Sequence, residues 1–126
     1  MSEINGTSTN DLLTGTVYGD LMNGLAGDDD LQGDSGDDEL YGGTGHDTLF
    51  GGSGNDSLNG EEGNDILIGT ALFTGATGVK TMRGGIGDDL YHVNGSSDIV
   101  IENVDEGNDT VYVYDTSYTL TNNVEN

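Results

Sequence analysis

The chain has 126 residues, with 24 Asp and Glu against 2 Lys and Arg, a formal net charge of −22, and 23 glycines but no proline, cysteine or tryptophan. That length supports one domain at most, the missing cysteines exclude disulfides and thiolate metal sites, and the acidity disfavours nucleic acid and anionic membranes as partners. At 32% hydrophobic residues, such a chain cannot bury enough apolar surface to offset its conformational entropy and reads as disordered unless cations neutralise it.

The first residues, MSEINGTSTND, show neither the basic start nor the apolar core of a signal peptide. No run approaches the 18 apolar residues of a membrane-spanning helix. Internal periodicity organises everything else. Residues 6–14 (GTSTNDLLT) and 15–23 (GTVYGDLMN) are nonapeptides with Gly first, Asp sixth (Asp11, Asp20) and an apolar residue eighth (Leu13, Met22). Their turns are poor in glycine, so they read as degenerate end repeats. Five fuller copies follow over residues 24–68: GLAGDDDLQ, GDSGDDELY, GGTGHDTLF, GGSGNDSLN and GEEGNDILI. Each has Gly first and fourth, Asp sixth (Asp29, Asp38, Asp47, Asp56, Asp65) and Leu eighth (Leu31, Leu40, Leu49, Leu58, Leu67).

Residues 69–74 (GTALFT) interrupt the period as an insertion. The nonapeptide at 75–83 (GATGVKTMR) resumes it with Met82 eighth, but Lys80 stands in the aspartate place. Both basic residues of the chain, Lys80 and Arg83, lie in that repeat. GGIGDDLYH at 84–92 restores the aspartate as Asp89, with Tyr91 eighth. Further on, Asp98 with Val100 keeps the nine-residue spacing, and Asp109 with Val111 follows after two extra residues. Residues 110–114 (TVYVY) alternate like a half-buried strand. With Tyr118 and Leu120 they are expected to cover the open end of the fold, since a bare parallel edge invites aggregation.

A nine-residue unit with one apolar position cannot be an amphipathic helix, which needs apolar residues at every third or fourth place. Six residues of glycine-rich turn and three of strand account for it, because glycine permits the φ > 0 conformations of a tight turn. The middle strand residue, the leucine, then points inward. Two units per coil build two parallel sheets facing each other across a thin leucine core. Every second turn falls on the same edge, which places Asp29, Asp47 and Asp65 in one column and Asp38 and Asp56 in the other.

Stacked parallel strands lie about 4.8 Å apart, close to two Ca²⁺–oxygen bonds of about 2.3–2.6 Å end to end. Magnesium needs shorter bonds and a stricter octahedron, and zinc prefers His or Cys, whereas the two His are not clustered. Calcium is therefore the expected ion. Its candidate ligands are Asp11, Asp20, Asp29, Asp38, Asp47, Asp56, Asp65, Asp89, Asp98 and Asp109. They are joined by carbonyls of the turn glycines Gly24, Gly27, Gly33, Gly36, Gly42, Gly43, Gly45, Gly51, Gly52, Gly54, Gly60, Gly63, Gly84, Gly85 and Gly87. The Lys80 ammonium is expected between Asp56 and Asp98, replacing a cation. Asp28, Asp30, Asp37 and Glu39 read as outward charges, and His46 and His92 as solvent-facing. Residues 28–39 imitate an EF-hand loop, but lack the flanking helices it requires.

GGTGHDTLF, GGSGNDSLN and GGIGDDLYH match in full the nonapeptide G-G-x-G-x-D-x-U-x, and the sequence over residues 6–92 resembles the RTX, or haemolysin-type, calcium-binding repeat family. The tail to NVEN resembles the segment that commonly follows such repeats before further apolar sequence. The resemblance implies a right-handed parallel β-roll, type I secretion, and folding on meeting calcium outside a bacterial cell. Lys80 and the glycine-poor turns at 6 and 15 depart from the pattern. The expected organisation is all-β: degenerate repeats over 1–23, the roll over 24–92, and a C-terminal β capping region over 93–126 of a longer, monomeric, secreted parent. No nucleophile–base pair or cleft of paired carboxylates marks an enzyme. An alternative function is calcium-dependent binding of extracellular polysaccharide, through bridging calcium or a Lys80–Arg83 patch.

Overall fold

One apolar residue in nine can be buried only if successive coils stack them, and the structure is built on that requirement. A computed structural model describes residues 1–70, 77–114 and 117–121. Along these the strands are β1 (Glu3–Asn5), β2 (Leu12–Thr14), β3 (Leu21–Ala26), β4 (Asp30–Gln32), β5 (Glu39–Thr44), β6 (Thr48–Phe50), β7 (Asp56–Glu62), β8 (Ile66–Ile68), β9 (Lys80–Ile86), β10 (Leu90–Val93), β11 (Ile99–Val100) and β12 (Thr110–Val113). Odd strands form one six-stranded sheet, β1-β3-β5-β7-β9-β11, and even strands the other, β12-β10-β8-β6-β4-β2. Every pairing is parallel. The chain is a parallel β-roll.

Between the sheets runs a file of fully buried side chains: Met22, Leu31, Leu40, Leu49, Leu58, Leu67, Met82 and Tyr91, continued by Val93 and Val100. Most of them are the eighth-place residues, aligned by register: Met22 faces Leu40, Leu40 faces Leu58, and Leu58 faces Met82. The last pair spans 24 residues instead of 18, so six extra residues lie in that coil. The insertion expected at 69–74 falls mostly outside the described residues, as do Gly75 and the final NVEN.

One expectation needs correction. The strands β3, β5, β7 and β9 run six or seven residues rather than three. On that edge the ladder resumes beyond the first turn glycine, pairing Leu25 with Gly43 and Gly43 with Glu61. Residues 110–113, expected at the open end of the roll, form the last strand of the even sheet. They add β12 as another rung beside β10, because their backbone continues the parallel ladder while Val111 packs on the core. Tyr118 packs on the core and Thr121 Oγ1 donates to Val100 O at 2.7 Å, whereas Leu120 stays exposed.

The turns explain the glycines. Gly45 has φ +135°, and a Cβ there would overlap the carbonyl of Gly27 in the coil below. The second turn position is also left-handed, yet three repeats hold Leu25 (φ 84°), Asp34 (φ 73°) and Glu61 (φ 82°) there. An L-residue in that region costs about 1–2 kcal/mol. Glu61 pairs with glycine on both sides, at Gly43 and Gly85. Glu61→Gly should therefore raise stability in saturating calcium by about 0.5–1 kcal/mol, read from the urea midpoint. A lowered midpoint would show that the Glu61 side chain contributes more than its backbone costs.

Candidate metal centre

Most strands enter their sheet at or directly after a sixth-place aspartate, so the turn sets that carboxylate at the edge of the sandwich. The backbone N–H of Asp11, Asp20, Asp29, Asp38, Asp47, Asp65 and Asp89 donates to Oδ1 of the aspartate one coil further on. In one column Asp11 reaches Asp29 (2.7 Å), Asp29 reaches Asp47, Asp47 reaches Asp65 and Asp65 reaches Asp89 (each 2.8 Å), and Asp89 reaches Asp109 (3.0 Å). In the other, Asp20 reaches Asp38 (2.8 Å) and Asp38 reaches Asp56 (3.0 Å), and the N–H of Lys80 reaches Asp98 (3.0 Å). The columns are those the nine-residue phase predicts.

The second oxygen of these carboxylates is what singles the turns out. Oδ2 of Asp29, Asp38, Asp47, Asp65 and Asp89 is buried without a hydrogen bond, although a buried, unpaired carboxylate oxygen is costly. It lies against the first glycine of its own turn: a Cβ on Gly33 would stand 2.6 Å from Asp38 Oδ2. Gly24, Gly42, Gly51, Gly60 and Gly84 hold the same relation to Asp29, Asp47, Asp56, Asp65 and Asp89. The fourth-place Gly27, Gly36, Gly54, Gly63 and Gly87, and the second-place Gly43, Gly52 and Gly85, all have positive φ. Two glycine places therefore shape the turn, and the first makes room for a carboxylate oxygen.

Burial pushes the Asp38, Asp47 and Asp89 carboxyls up to about 6 and Asp65 up to about 7. Backbone N–H bonds pull the other way, and neighbouring carboxylates add to the rise. These are groups short of positive charge. Oxygen-only donors, buried and unpaired, fit a hard divalent cation such as calcium.

The ends of the roll differ. Burial also disfavours the charge on Asp20, but the Ser2 N–H and the N–H and hydroxyl of Thr16 hold its carboxyl at about 2. Asp11 Oδ2 likewise accepts from the N–H (2.6 Å) and hydroxyl (2.9 Å) of Thr7. In these two turns threonine supplies what the central turns lack. Asp98 is satisfied too, its Oδ2 accepting from Gly95 N–H.

At Lys80 the column changes sign. Its side chain is fully buried, and Nζ lies 3.2 Å from Asp56 Oδ2, donating to the carbonyls of Gly54 (2.5 Å) and Thr77 (3.2 Å). The ammonium thus sits on Asp56, and Lys80 reaches Asp98 through its backbone N–H. A Lys80–Arg83 surface patch does not form, because Lys80 points inward while Arg83 is exposed.

A second ladder runs along the turn rims, at the fifth place that the repeat pattern leaves variable. His46 N–H donates to Asp28 Oδ1, Asn64 N–H to His46 Nδ1, Asp88 N–H to Asn64 Oδ1 and Asn108 N–H to Asp88 Oδ1. On the opposite edge Asn55 N–H donates to Asp37 Oδ1, and Val79 N–H to Asn55 Oδ1. Asp28, Asp37 and His46 are rim acceptors, not mere outward groups. The signal lies in the side chains: Asp, Asn and His each carry an acceptor atom bonded to Cγ.

A parallel roll with carboxylates stacked in two edge columns is a calcium-binding repeat module. The chain belongs to the RTX calcium-binding nonapeptide repeat family, whose four-copy model matches residues 5–40 and 41–71, just over half of it. A search among curated proteins finds no match. The family is typical of extracellular bacterial proteins, and its roll is generally a structural, non-catalytic unit.

Proposed function

We propose that this chain is a calcium-operated folding element of a larger secreted protein. The observation that carries the reading is the series of buried, unpaired Oδ2 atoms at Asp29, Asp38, Asp47, Asp65 and Asp89. Calcium held there, with carbonyls of the turn glycines as further oxygens, supplies the missing charge. Its binding free energy becomes folding free energy, since the site does not exist in the open chain. Extracellular calcium modules bind at about 10⁻⁴ to 10⁻³ M, so the chain stays open in the cytosol and closes outside the cell. Residues 1–23 act as the N-terminal end, 24–92 as the metal-holding roll, and 93–126 as its C-terminal end towards a further, monomeric parent.

A second reading is favoured by one observation. His92 stacks on Tyr112 and Tyr114 (centroids 5.4 and 5.8 Å apart), and its Nδ1 is 2.9 Å from Tyr114 Oη, on the outside of the even-stranded sheet. Such an exposed aromatic row suits the faces of polysaccharide sugars. Far-ultraviolet circular dichroism during a calcium titration tests the first reading: a disordered spectrum should convert to β-structure. A fully folded metal-free chain at neutral pH would overturn it. Polysaccharide binding by the calcium-saturated chain, lost in Tyr112→Ala with Tyr114→Ala, would support the second reading, and no binding would dismiss it.

A further inference from the structure

The last turn breaks the rule of the others. The pairing of Thr81 with Ile99 and Met82 with Val100 carries Glu102 to the level of Gly84. Along this edge the same place is glycine at Gly6, Gly24, Gly42, Gly60 and Gly84. Glu102 can stand there because its turn is two residues longer: Asp89 N–H meets Asp109 Oδ1 across 20 residues instead of 18. Glu106 braces the longer turn, accepting from Asn103 N–H (3.1 Å) and Nδ2 (2.9 Å) through its carboxylate and from Gly87 N–H (2.7 Å) through its carbonyl. The Glu102 side chain is turned inward and is 6% exposed.

This brings one carboxylate oxygen each from Asp89, Glu102 and Asp109 within 4.8 Å of one another. Among the described residues it is the one place where three such ligands converge. A second observation points to a cation as the ligand. Asp89 is 2% exposed, its Oδ1 is taken by Asp65 N–H, and its Oδ2 is buried without any hydrogen bond.

We propose that Asp89, Glu102 and Asp109 form a three-carboxylate calcium site that closes the C-terminal end of the roll and is the tightest site in the chain. The proposal rests on the calcium reading above and adds to it a ligand outside the nonapeptide lattice and outside the residues that the family model matches. Two Ca²⁺–oxygen bonds of about 2.4 Å span the 4.8 Å limit. The oxygen-only set suits a hard ion, and one more carboxylate than an ordinary rung raises affinity through ligand charge. Filled first, this site would order the end of the ladder against which the remaining coils stack.

The test is calorimetric titration of the metal-free full chain with Ca²⁺, compared with Glu102→Gln and Glu102→Gly. The parent should show one ion bound more tightly than the rest. In both variants that ion should weaken by about tenfold or more, while circular dichroism at saturating calcium stays unchanged. Glu102→Gly places in this turn the residue its neighbours use, so it decides the matter if Glu102→Gln does not fold. Unchanged affinities and stoichiometry in Glu102→Gly overturn the proposal and leave the nonapeptide sites standing. A parent chain that binds no calcium overturns both.

Discussion

Lys80→Asp should increase the number of calcium ions bound by at least one and make folding more dependent on calcium. Lys80 stacks between Asp56, 24 residues before it, and Asp98, 18 after, in a column otherwise made of carboxylates. Its Nζ contacts Asp56 Oδ2 and two carbonyls, an all-oxygen set of the kind a metal would take. A lysine on its own stem is a cation, so in the folded roll this rung needs no ion of its own. Burial still pushes the Asp56 carboxyl up, against the pull of the Lys80 ammonium. Removing the charge without replacing it should be worse. Lys80→Met leaves a buried carboxylate unpaired, a loss of about 3–5 kcal/mol for a broken buried pair, recovered only if an ion enters. Calorimetry on Lys80→Asp provides the decisive number. A stoichiometry equal to the parent's would show that the ammonium does not stand in for calcium.

The metal-free chain should gain β-structure as pH falls, opposite to the acid unfolding of most proteins. Asp38, Asp47 and Asp89 titrate at about 6 in the folded metal-free roll and Asp65 at about 7, against 3.8 in an open chain. The folded state therefore holds protons that the unfolded state releases. Linkage makes its stability fall as pH rises through the interval from about 4 to 7, the raised carboxyls being destabilising once ionised. Burial is the first cause and repulsion within each column adds to it. With calcium saturating, the sign reverses, because protons compete with the ion for the same oxygens. The check is circular dichroism in chelator at pH 7.5 and pH 5, with Asp65→Asn as the control that weakens the response. A metal-free chain no more ordered at pH 5 than at 7.5 would contradict the argument.

The fold was legible because the signal repeats. One apolar residue and one aspartate per nine leave a turn-and-strand unit as the workable solution, and two units per coil dictate which aspartates stack. Asp29, Asp47 and Asp65 fall in one column and Asp38 and Asp56 in the other for that reason alone. The insertion could be sized by the same count. Less was legible where the period loosens. The alternation of residues 110–113 marked a strand at the end of the roll but not its partner, which is β10 in a parallel ladder. The fifth place looked variable because Asp, His and Asn differ in charge, while the rim ladder asks only for a side-chain acceptor.

By itself, then, the sequence determined the period, the two columns, the preference for calcium and the change of sign at Lys80. These follow from spacing and from the chemistry of carboxylates. Only the tertiary structure decided which oxygens remain without a partner. Thr7 and Thr16 satisfy Asp11 and Asp20 within their own turns, and Lys80 folds back onto Asp56. The longer last turn swings Glu102 into the column beside Asp89 and Asp109. Each outcome depends on the reach of one side chain across a turn a few ångströms wide, a distance set by stacking between coils rather than by position along the chain.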